Sequence, residues 1–100
     1  MTDTITVTGL VATNPRHIIT AEGLAISSFR LASNQVDGDT NWYTVVALKG
    51  LAESVAKNLG KGDRVIVHGR LRIRDWETSD HSGINVEIIG IDIAKTVEEL

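Results

Sequence analysis

With 100 residues, 42% of them hydrophobic, and no cysteine, the chain suits one domain with a modest core and excludes disulfides and thiolate metal sites. No apolar run approaches the roughly 20 residues a membrane helix needs, and Met1-Thr2-Asp3-Thr4 lacks the basic start and apolar stretch of a signal peptide, which points to a cytoplasmic protein without a membrane partner. The net charge of −3 excludes a uniformly basic surface, yet five of the ten basic residues fall between Lys61 and Arg74, so a locally basic face is compatible with it.

Thr4 to Ala12, rich in Thr, Ile and Val, reads as a strand interrupted by Gly9. Asn14-Pro15 marks a turn, His17 to Thr20 a short resumption of strand, and Glu22-Gly23 a second turn. Leu24 to Ser33 is a second long strand, Asn34 to Asn41 a polar loop, and Trp42 to Lys49 a third strand. The period then changes. Leu51, Ala52, Val55, Ala56 and Leu59 form one apolar stripe at helical spacing, bracketed by Gly50 before it and Gly60 and Gly62 after it. Two further strands, Arg64 to Glu77 and Ile84 to Ile93, are joined by a hairpin loop from Ser79 to Gly83. Three strands, one helix and two strands predict an all-β domain over residues 1–100: an OB-fold, a five-stranded Greek-key barrel with its α-helix between strands 3 and 4. Gly9, Gly69 and Gly90 inside strands suit a small barrel that bends sharply. An SH3-like barrel or an open sandwich fits the helix position less well.

The chain offers no catalytic set, metal site or cofactor box. His17, His68 and His81 are scattered without ligand spacing and read as solvated or structural. Gly60-Lys61-Gly62-Asp63 lacks the phosphate-loop spacing and reads as a turn. The informative segment is Arg64 to Glu77. Side chains alternate between the two faces of a strand. Val65, Val67, Gly69, Leu71 and Ile73 form a core face, while Arg64, Ile66, His68, Arg70, Arg72, Arg74 and Trp76 share the other. Like charges side by side cost stability. Arginines closed by a tryptophan therefore suit a polyanion with stackable bases, though a basic edge strand that merely discourages aggregation has the same composition. Trp42 opens its strand beside a polar loop and is as compatible with the core as with a platform. Phe29 reads as core, and Tyr43 faces either the core or a partner subunit.

Four stretches give a more specific signal: Ile5-Thr6-Val7-Thr8-Gly9-Leu10-Val11 followed by Asn14-Pro15; Gly23 through Ser33; Thr40 to Val46 with Leu51-Ala52-Glu53; and Lys61 through Trp76. In this order and spacing they resemble the DNA-binding domain of bacterial single-stranded DNA-binding proteins over roughly residues 5–93. The resemblance implies an OB-fold that assembles as a homo-oligomer, a tetramer favoured over a dimer, and binds single-stranded DNA. It places Trp42 and Trp76 at base-stacking positions, with Leu48 as a weaker platform. It places Arg72 and Arg74 on the basic strand at phosphates; with them Arg70, on the same face of that strand, and Lys49 are expected to neutralise phosphates, and Arg30 is a further candidate contact. Asp75 departs from the basic residue often found after the arginines, as do Arg16 and Ile18 from the acidic and arginine residues common after the turn. Family members usually continue into a tail with an acidic, apolar tip that recruits other proteins. Glu98-Glu99-Leu100 is too short to serve, so tail-mediated recruitment is not expected here. Short relatives acting in primosome assembly as dimers, and an OB domain used only for protein contact, are the rival readings.

Overall fold

Alternation decides what is buried. In β3 (Ala25–Asn34) Ala25, Ser27, Phe29, Leu31 and Ser33 point inward, and the residues between them stay half-buried on the other side. The same rule sends Val7 and Val11 of β1 (Thr4–Val11), Val45 and Ala47 of β4 (Thr40–Leu48), Val65 and Val67 of β5 (Arg64–Glu77) and Ile88 of β6 (Ser82–Lys95) into one core. These positions belong to a computed structural model in which residues 3–96 are described; Met1, Thr2 and the short acidic end Glu98-Glu99-Leu100 lie outside the described residues.

The strands close on themselves. The order is β1-β5-β6-β4-β3, with the short β2 (Arg16–Ile19) added beyond β3. β1 pairs antiparallel with β5 from Thr4↔Arg70 to Leu10↔Arg64, then meets β3 through Leu10↔Ala32 and Val11↔Leu31. β4 and β6 run parallel while the other pairs are antiparallel. This is the expected Greek-key OB barrel. His17 to Thr20 does form a strand in its own right, so the helix follows the fourth strand counted rather than the third. β2 stays peripheral because it pairs with β3 alone and leaves Ile18 and Ile19 exposed.

Tight closure needs close backbone approach. A Cβ on Gly69 would collide with the Ile89 carbonyl and lie 2.7 Å from Ile88 Cγ2. A bulge sits at the same place: His68 pairs with Asp92 but Gly69 with Gly90, so Ile91 is an extra residue in β6. The slip reverses parity along β6. Both Ile88 and Ile93 therefore face inward, and Ile91 is pushed out to solvent.

The helix α1 (Lys49–Asn58) buries Ala52 and Val55 and packs against β2, β3, β4 and β6. The Ser27 hydroxyl donates to the Ala52 carbonyl at 2.7 Å and tethers the helix to the barrel. Gly50 does not precede the helix as expected but lies in its first turn. Lys49, with φ 59°, turns the chain one residue earlier. The turn at Gly60 to Asp63 is as predicted. Asp63 Oδ2 accepts the Gly60 N–H at 2.8 Å and faces Lys95 Nζ at 3.5 Å. The Gly60 hydrogen bond, helped by Lys95 against partial desolvation, holds the Asp63 carboxyl below its ordinary pKa.

One core assignment is corrected. Ile73 is 61% exposed, and Leu71 only half-buried, because the β5–β6 hairpin runs on past the end of the barrel wall. Phe29 is buried, as expected, and Tyr43 packs half-buried against the core.

Candidate nucleic-acid interface

Pairing register assembles a single face from distant stretches of chain. Residues opposite one another in a ladder point to the same side. One row therefore runs Arg30–Thr44–Glu87–Arg72 across β3, β4, β6 and β5. The next runs Ser28–Val46–Ile89–Arg70. Arg74 opposite Asn85 and Trp76 opposite Gly83 extend the face up the hairpin, and Trp42 opposite Ala32 lies on it beyond Thr44. The structure brings together seven residues singled out from the sequence: Arg30, Trp42, Leu48, Arg70, Arg72, Arg74 and Trp76. Leu48 is half-buried at the lower end of β4, opposite Ile26. Lys49 is exposed where the chain leaves this face for α1.

Both indoles are accessible and both are seated. Trp42 is 50% exposed. The Arg30 guanidinium lies 5.6 Å from its ring centroid, and Nη1 of Arg30 donates to the Thr44 hydroxyl at 2.9 Å. That pairing occupies one side of the indole and limits its rotation. Trp76 is 42% exposed and rests on Gly83, where an added Cβ would stand 2.5 Å from Cζ2 of the ring. Only a residue without a side chain gives the indole this seat.

The charge pattern also includes a residue whose role the sequence pattern does not reveal. Glu87, 13% exposed, lies 3.9 Å from both Arg72 Nε and Arg74 Nη1. Its sequence signal is an acid set directly between the apolar residues Val86 and Ile88 of a strand. The role of Gly83 is likewise not revealed, because only the hairpin register sets it under Trp76. The histidines have local partners: His17 Nδ1 is 2.8 Å from Ser27 Oγ, His68 Nδ1 is 2.8 Å from Thr6 Oγ1, and the His81 carbonyl accepts the Thr78 N–H in the hairpin turn. Among the described residues, no three His, Cys, Asp or Glu side chains are grouped to hold a metal ion, and no helix is long and apolar enough to cross a membrane.

Residues 2–96 match the single-strand binding protein family. The chain is 52% identical over 82 residues to single-stranded DNA-binding protein 2 of Tropheryma whipplei strain Twist, covering 72% of this chain and 55% of that one. It is 41% identical over 86 residues to the single-stranded DNA-binding protein of Corynebacterium glutamicum, covering 76% of this chain and 38% of that one. The matched part is thus about half, or less, of the length of these relatives. Among solved structures, the small single-stranded DNA-binding protein of Streptomyces coelicolor is similar with a TM-score of 0.86 and 30% identity, over 96% of this chain and 95% of that one. The second single-stranded DNA-binding protein of Mycobacterium smegmatis gives 0.77 and 26%, over 100% and 98%.

Proposed function

Because the chain belongs to the single-strand binding protein family, we propose that it binds single-stranded DNA with little sequence selectivity, in replication, recombination or repair, and catalyses no reaction. The observation that carries this reading is the exposure of Trp42 and Trp76 on the sheet face that also holds Arg70, Arg72 and Arg74. Each indole stacks one base, a contact of about 1–3 kcal/mol that any base can make. Arg70, Arg72, Arg74 and, at the margin, Lys49 neutralise phosphates. Arg30 holds Trp42 in place, and Leu48 adds apolar contact. Duplex DNA hides the base faces from the indoles and binds weakly.

The protein acts in the cytoplasm as a homo-oligomer, a tetramer in preference to a dimer. Ile18, Ile19, Ile66 and Ile91, exposed on the outside of the barrel, supply apolar surface for assembly. Light scattering separates the two states. The decisive experiment titrates oligo-dT and a duplex of equal length while tryptophan emission is followed across a salt series. The expected result is quenching by the single strand, weak duplex binding, and a slope of log affinity against log salt of roughly −0.7 per phosphate neutralised. Unquenched emission at low salt, or equal affinity for duplex, overturns the reading.

A further inference from the structure

Glu87 sets a carboxylate in the middle of a cationic face, between Arg72 and Arg74 and in the same row as Thr44. Its side chain is only 13% exposed, whereas those of Arg72 and Arg74 are 55% and 57% exposed. The acid is therefore fixed and the two guanidiniums are free to swing outward. Both separations are 3.9 Å, longer than the roughly 2.7–2.9 Å of a charge-assisted hydrogen bond. The pairs are attractive but not locked. A carboxylate and a phosphate offer a guanidinium the same thing: two anionic oxygens in a plane matched to its N–H groups.

Building on the proposed DNA-binding role, we infer that Glu87 is an internal competitor for phosphate that restrains affinity and hastens release of the strand. Two effects oppose each other. Glu87 helps to hold Arg72 and Arg74 over the face, which favours binding. It also repels every phosphate those arginines attract. The first effect is small, because loose ion pairs to half-exposed arginines order them weakly. The second is larger, because a carboxylate fixed in the sheet cannot withdraw and the incoming strand excludes the water that would screen it. Repulsion prevails. The arginines then exchange between an anion of the protein and an anion of the DNA, so the strand is never held by the full charge of the face.

The test compares the full chain with Glu87→Gln, which keeps shape and removes charge. It adds Glu87→Val, a β-branched residue suited to a half-buried strand position. Both variants should bind oligo-dT about fivefold more tightly at low salt, the scale of two half-exposed ion pairs. Stopped-flow traces should show slower dissociation, and the salt slope should steepen by about 0.7, one more phosphate neutralised. The gain should vanish in a background carrying Arg72→Gln and Arg74→Gln, which a purely structural role for Glu87 does not require. Unchanged or weaker binding by both variants, with an unaltered slope, overturns the inference while leaving DNA binding intact. Failure of the unmodified protein to bind oligo-dT defeats the functional reading itself.

Discussion

The two halves of β5 share one alternating pattern and do different work. From Arg64 to Leu71 the strand is barrel wall, flanked by β1 on one side and β6 on the other, with Val65 and Val67 fully buried. From Arg72 to Glu77 it pairs with β6 alone, and every residue is exposed, Ile73 included. Alternation reports which face a side chain takes. It does not report what covers that face. Apart from Arg70, which stands on the proposed DNA-binding face, the lower half serves stability, and the upper half holds arginines and an indole in solvent on a two-stranded arm.

If this division is right, substitutions in the two halves should separate stability from DNA binding. The largest effect is expected at Gly69→Val, whose side chain would meet the Ile89 backbone at the bulge. Overpacking against backbone should cost about 3 kcal/mol in urea unfolding, while the molecules that remain folded bind oligo-dT as before. Trp76→Ala should do the reverse. Its loss should appear as about 1–3 kcal/mol in affinity for oligo-dT, with unfolding free energy changed by less than about 0.5 kcal/mol.

Gly83→Ala sharpens the comparison within the arm. The added methyl displaces the indole without removing it. Affinity should fall by about 1 kcal/mol, a fraction of one base's stacking, and the Trp76 emission should shift while the unfolding midpoint holds. The smallest effect is expected at Asp63→Asn, in the turn that leads into the lower half. Because the folded carboxyl has a lowered pKa, its stabilising contribution is present above the ordinary Asp range and is lost as pH falls through the folded value. The variant should flatten the fall in melting temperature below about pH 4 and leave DNA binding unaltered.

Much of this was legible in the chain. The arginine and tryptophan positions of β5 could be sorted onto one face because a strand repeats every two residues, and the helix was marked by its change of period. Gly50 was less legible. A glycine before an apolar stripe reads as a breaker, but Lys49 takes the left-handed backbone conformation and carries the turn instead. Ile73 was misplaced for a simpler reason: an apolar residue in register with Val65 and Val67 looks like core whether or not a neighbouring layer reaches it.

By itself, then, the sequence determined the succession of the five long strands and the helix, the barrel class and the side of β5 on which its basic residues stand, all of which follow from local periodicity. Only the tertiary structure decided that Arg30 stacks on Trp42, that Gly83 seats Trp76, and that Glu87 sits between Arg72 and Arg74. Those contacts depend on cross-strand register. Register is set jointly by turns, a one-residue bulge and barrel closure, and no single stretch of the chain encodes it.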